Sequence, residues 1–348
     1  MIEREARGGL DRASDPARES TAAAAAAVAR RRRLCDIATI MAGAPDSPLV
    51  FDRVAVRHGR DRAAGLGGAG FLFAEIALRL CDRLADVNRR FALALDLGAR
   101  DGGLAGLALA SGRIDRLIAA DLSPAMLRLA RRTAPAAPVV AADEEFLPFG
   151  GDRFDLVLSA LLFHATNDLP GALVQIHRML KPDGLLLAAM LGGDTLTELR
   201  QAFLAADLAE EGGAAPHVAP FAGIADAGAL LQRAGFALPV VDHDVLTVTY
   251  ETPWRLLTDL RAMAETNTLV RRRRTPLRRR TLERMVAAYR DLAGLPDGRV
   301  RATFEVIYLS GWRPHPSQQE PLRPGSAAAR LADALGTVER PAGDKARP

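Results

Sequence analysis

Residues 91–103 read FALALDLGARDGG, an unbroken apolar run that ends in an acid and passes straight into glycines. Such a run marks a parallel strand buried on both faces. Gly98, Gly102 and Gly103 let the chain turn tightly into a helix expected to begin near Leu104. In open α/β sheets ligands lie beyond the carboxyl ends of the strands, and the N–H groups opening the next helix attract a carboxylate or phosphate. Many nucleotide folds share this turn, so the flanking segments decide which fold is present.

Outward from the turn, strands and helices alternate. Strands are expected at 93–97, 116–120, 139–142, 154–159 and 184–190. Helices are expected at 71–87, 104–111, 124–133, capped by Ser123, and 169–180. The alternation predicts an α/β fold, a Rossmann-like, mostly parallel sheet with helices on both faces. Beyond it, 195–209 and 224–234 read as helices, and 245–250 and 302–309 carry the β-branched and aromatic residues of strands. Helical patterns at 254–266 and 281–292 form an insertion before the last strand. The chain thus divides into an Ala/Arg-rich disordered tail over 1–48, one domain over 49–314 and a loosely ordered tail over 315–348. Within the domain the core is 71–250 and 300–313, and the insertion is 251–299.

Composition narrows the function. The formal charge of +4 on 348 residues gives no global pull toward nucleic acid, and Cys35 and Cys81 lack the spacing of a zinc site or disulfide framework. No apolar run approaches the roughly 18 residues of a membrane span, and the alanines at 22–29 precede rather than follow an arginine cluster, backwards for a secretory signal. These features predict a cytoplasmic protein without a transmembrane segment, though with room for peripheral membrane contact.

Three acids fall at successive strand ends: Asp96, Asp121 and Asp143. Parallel strands place all three on one edge of the sheet. A carboxylate after the second strand suits a ribose, because it accepts hydrogen bonds from both hydroxyls; Asp143 and the backbone of Glu144 suit an adenine edge. The plainer reading of Asp121 is a helix cap supplementing Ser123.

These segments carry a resemblance. DLGARDG (96–102), AADLS (119–123), ADEEFLPF (142–149), FDLVLS (154–159) and LKPDG (180–184) together resemble the class I S-adenosylmethionine-dependent methyltransferase series, over about half the chain. The resemblance implies a seven-stranded sheet with an antiparallel last pair and S-adenosyl-L-methionine as cofactor. Its contacts would be Asp96, Gly98, Arg100, Gly102, Asp121, Leu122, Asp143, Glu144 and Ser159, with Asp96 orienting the turn. Residues 51–53, NDLP (167–170), GGDTLTELR (192–200), EGGAAPHVAPF (211–221), RAGF (233–236), MAETN (263–267) and GWRPHPSQ (311–318) are similar to one branch. That branch is the respiratory complex I assembly factor family, itself similar to malonyl-carrier-protein methyltransferases. It implies a protein or carrier-bound substrate, with the quinone-site subunit of complex I as partner. Methyl transfer is the expected chemistry; arginine hydroxylation on the same fold and a non-catalytic assembly module are the alternatives.

One departure stands in the turn. The family pattern is Asp-x-Gly-x-Gly-x-Gly, and here Arg100 holds the middle glycine position with Asp101 beside it. If that position needs φ > 0, a Cβ there costs about 1–2 kcal/mol. Arg100 either pairs with the donor's carboxylate or occludes the pocket. His164, just past the fourth strand, is the candidate base or substrate contact, with a structural histidine the equal reading. His217 reads as a loop anchor. None of the six histidines begins a His-x-Asp or His-x-Glu pair, so non-haem iron has no support in sequence. Seven arginines within 271–280 read as a solvated face, with an acidic protein surface as the alternative and nucleic acid disfavoured, because no aromatics interleave.

Overall fold

The computed structural model describes residues 49–67, 70–319 and 329–338. The expected N-terminal tail lies outside these residues, as does much of the C-terminal one. Seven strands, β1 (Ala94–Leu97), β2 (Leu117–Asp121), β3 (Val139–Ala141), β4 (Phe154–Ala160), β5 (Leu180–Leu191), β6 (Ala237–Tyr250) and β7 (Val300–Trp312), form one sheet in the order β3-β2-β1-β4-β5-β7-β6. β1 pairs in parallel with β2 and β4, and β7 runs antiparallel to both β5 and β6. The expected Rossmann-like, mostly parallel seven-stranded fold is borne out. Strand order reverses between β1 and β4, which opens a crevice beyond their carboxyl ends.

Among the described residues nine helices accompany the sheet: α1 (Arg53–Gly65), α2 (Phe71–Ala85), α3 (Gly103–Ala110), α4 (Pro124–Thr133), α5 (Leu169–Met179), α6 (Thr197–Glu210), α7 (Ile224–Arg233), α8 (Pro253–Ala262) and α9 (Arg279–Ala293). A single turn, Leu331–Ala334, follows near the C-terminus. Leu72, Ile76 and Leu80 of α2, Ala105 of α3, Ala202 of α6 and Met285 and Tyr289 of α9 cover one face with Leu156, Leu158 and Leu187; Leu173 and Ile176 of α5 and Leu231 of α7 cover the other with Leu95, Leu97 and Val157. Among the described residues no helix is long and apolar enough to cross a membrane.

Three departures from the sequence expectation matter. First, α1 was not expected. Its buried residues are Val56, Gly59, Arg60 and Ala63, so it lacks the apolar stripe that announces a helix, although Asp52 caps it by accepting from the Ala55 N–H. Second, β6 begins at Ala237 rather than 245, because Asp242 and Asp244 on this edge strand are held by Arg83 and Arg79 of α2 at 2.9 and 2.8 Å. Third, α8 ends at Ala262 rather than 266, since Ala264 adopts φ +62° and turns the following residues inward.

Strand alternation fixes the place of Asp96. Side chains alternate across a sheet, so Asp96 shares the face of Ala94, under α2 and α3, rather than the rim. It lies against Phe73, Ala77 and Leu104 beside a cavity of 190 Å³, with no exposed surface and no hydrogen-bond partner for either oxygen among the described residues. Only the Ala105 N–H, in the opening turn of α3, acts in favour of its charged form. Burial, and then the charge of Asp121, push its carboxyl up to about 8. The unfolded carboxyl releases its proton near pH 4, so this group lowers stability progressively as pH rises from about 4 to about 8. Asp96→Asn removes that dependence. Urea melts should show the variant about 1–3 kcal/mol more stable than the parent at pH 8 and nearly equal to it at pH 4; an unchanged difference between the two pH values counts against this account.

Candidate active site at the switch point

The turn after β1 is wound by three left-handed residues, Gly98 (φ +77°), Arg100 (φ +51°) and Gly102 (φ +86°). A Cβ on Gly102 would stand 2.8 Å from the Ala130 backbone, so this glycine lets α3 pack against α4. Arg100 carries the strain that the sequence made conditional, about 1–2 kcal/mol. Its N–H donates to Asp121 Oδ2 at 3.0 Å. Its side chain spans the crevice: Nη1 donates to the Met263 carbonyl at 3.2 Å, and Nη2 to the Leu161 carbonyl at 3.3 Å and to Glu265 Oε1 at 2.9 Å. The guanidinium also lies 4.6 Å from the centre of the Phe73 ring. Of the two readings left open for Arg100, occlusion is the one this geometry carries, and the residue is only 5% exposed.

The acids at the strand ends meet arginines from α1. Asp121 Oδ1 accepts from the Ser123 N–H at 2.8 Å and from Arg60 Nη1 at 3.4 Å. Arg60, 2% exposed, also stands 3.6 Å from Glu144. Arg53 donates to Asp143 Oδ1 at 2.6 Å and stands 2.8 Å from Glu144 and 3.6 Å from Glu145. Burial works against the Glu144 carboxylate, but Arg53 and Arg60 outweigh it and hold it below the usual range. Asp143 and Glu144, expected to read an adenine, are thus engaged by arginines that sequence reading did not place. Leu122 packs against Phe51, Val56 and Leu269. The Ser159 hydroxyl donates to the Leu97 carbonyl at 2.8 Å, tying β4 to β1, so it is spent on the sheet rather than turned toward a ligand.

Beside the crevice lies a cavity of 700 Å³ with apolar walls that include Phe51, Leu191, Leu199, Phe203, Phe221 and Trp254. His164 and Glu265 form its polar inner end. His164 Nε2 is 2.9 Å from Glu265 Oε2, and Nδ1 accepts from the Leu191 N–H at 3.5 Å. Both ring nitrogens are thus engaged, so His164 does not present a free base as the sequence suggested it could. Burial disfavours the Glu265 carboxylate, yet His164, Arg100 and Arg60 outweigh it and bring it down to about 2. Sequence reading missed Glu265; the only signal was its place in MAETN. His217 anchors its loop, 2.9 Å from Asp207 and stacked on Phe203 at 4.0 Å. In the arginine run, Arg272 and Arg274 share Asp52, and Arg273 and Arg278 share Glu211, so two carboxylates hold four of the seven arginines.

The model of the methyltransferase domain matches residues 95–188, the segment that builds the turn and the strand-end acids. Arginine-hydroxylase NDUFAF5, mitochondrial, of Danio rerio is 43% identical over 82% of this chain and 89% of its own length. The Homo sapiens protein of the same name is 42% identical over 80% of each chain. The malonyl-[acyl-carrier protein] O-methyltransferase of Laribacter hongkongensis is 38% identical over 76% of this chain and 90% of its own. The chain belongs to the class I S-adenosyl-L-methionine-dependent methyltransferases, in the branch shared by the NDUFAF5 complex I assembly factors and the malonyl-carrier-protein O-methyltransferases.

Proposed function

We propose that this chain is a cytoplasmic S-adenosyl-L-methionine-dependent methyltransferase that acts on a group carried by a protein, in the setting of respiratory complex I assembly. The observation that carries this reading is the 700 Å³ cavity adjoining the switch-point crevice, with Glu265 common to both. Its volume lies within the range of about 300–1,000 Å³ for ligand sites. Apolar walls suit the stem of a long side chain or acyl arm, and the His164–Glu265 end suits its polar tip. Names of the relatives agree with such substrates, one group being called arginine-hydroxylases and the other malonyl-carrier methyltransferases.

The residues present fit the donor in kind. Asp121, at the end of β2, would take the ribose hydroxyls, the N–H groups opening α3 favour a carboxylate, and the 190 Å³ space beside Gly98 and Phe73 suits the amino-acid end. That space alone is too small for the whole nucleoside, so the fit requires the Arg100 guanidinium to stand elsewhere. When bound, the donor supplies a methyl group on a cationic sulfur. The chain's part is then alignment and exclusion of water, with α1 closing the crevice from above and no general base demanded of it.

A second reading, arginine hydroxylation, is favoured by the name carried by the relatives of 43% and 42% identity. Mass spectrometry of the quinone-site subunit of complex I, from parent and deletion strains, separates the two. A methylene's mass lost on deletion supports methyl transfer, one oxygen's mass supports hydroxylation, and failed assembly with neither supports the binding module. In calorimetry, Asp121→Asn should weaken S-adenosyl-L-methionine binding by about ten- to a hundredfold; unchanged affinity would remove the ribose from Asp121.

A further inference from the structure

We propose that Arg100 is a gate latched by Glu265, so that the donor crevice opens when a cationic group in the adjoining cavity takes Glu265 for itself. This rests on the reading that the crevice takes S-adenosyl-L-methionine.

Arg100 sits at φ +51°, a conformation that disfavours any residue with a Cβ. Its side-chain partners all lie outside its own turn: Leu161 just beyond β4, and Met263 and Glu265 in the loop after α8. The guanidinium therefore pins two separate elements across the opening. Both carbonyl contacts exceed 3.1 Å, whereas the Glu265 contact is 2.9 Å and is the sole ion pair recorded for Arg100 among the described residues. A charge-assisted bond of that length outweighs the two longer neutral ones.

The closed position is also opposed. Arg60, buried and of like sign, stands close enough that burial and its charge together lower the proton affinity of Arg100. Asp121 Oδ2 accepts from the Arg100 backbone N–H and its Oδ1 from Ser123 and Arg60, and among the described residues the Arg100 side chain donates no hydrogen bond to it. Glu265 is reachable from the other side, since it lines the cavity and its Oε2 faces His164 there. A cation arriving through the cavity competes with Arg100 for one carboxylate. The two sites are then linked, and each ligand raises the affinity of the other by the same factor.

S-adenosylhomocysteine, titrated calorimetrically into the full chain, tests this. Arg100→Asn removes the guanidinium while keeping a residue that tolerates the left-handed region, and should bind about tenfold tighter or better than the parent. Glu265→Gln should also bind tighter, and the double variant no tighter than Arg100→Asn alone, because the latch then has nothing to hold. Millimolar methylguanidinium should tighten binding in the parent and not in Arg100→Asn. Binding by Arg100→Asn equal to or weaker than the parent overturns the gate and leaves the donor reading standing. Tightening in Arg100→Asn without any in Glu265→Gln overturns the latch. Absence of binding in every protein, the double variant included, overturns the donor reading itself. Should Arg100→Asn fail to fold, Glu265→Gln and the methylguanidinium titration decide alone: no tightening in either overturns the proposal.

Discussion

At one edge of the sheet five carboxylates converge, Asp121, Asp143, Glu144, Glu145 and Glu265, and three guanidiniums, Arg53, Arg60 and Arg100, stand among them. Parallel strands force part of this, because every strand delivers its terminal residue to the same side. Like charges gathered under a helix cannot stay ionised without counter-charges, and removing one partner of a buried pair leaves the other uncompensated. α1 supplies two of the three. Its position over the strand ends, and with it the roof of the crevice, follows from that electrostatic demand more than from apolar packing.

Much of this was legible in the residues. The run into Gly98 marked the first strand and turn, the acids at 121 and 143 marked the ends of the second and third strands, and the β/α alternation marked the sheet. What escaped did so for identifiable reasons. α1 buries arginine where pattern reading looks for leucine. The first half of β6 is polar, because its acids are matched by arginines from a helix far away in sequence. Glu265 enters the site only because Ala264 takes a left-handed conformation, which nothing in MAETN announces. Asp96 and Ser159 were placed by motif at the ligand, while strand alternation and a bond to Leu97 put them in the sheet.

Two chemistries share this scaffold among the relatives, and the fold does not choose between them. What differs locally is the furniture of the crevice. A guanidinium in the turn changes the crevice from an open cradle to one with an occupant of its own. The cavity beyond is wide and walled largely by apolar side chains.

β6 raises a separate matter, that of a long strand at the margin of a sheet. Such a margin offers unpaired amide and carbonyl groups to any passing chain, and exposed Leu238, Val240 and Val245 make this one sticky. Pro239 withholds a donor there, and the register shift between Ala237 and Val240 bends the strand away from a partner. The opposite margin, β3, needs no such devices, for its three residues are too few to template anything. The molecule is thus guarded against polymerising through its own backbone at the end where brevity gives no protection.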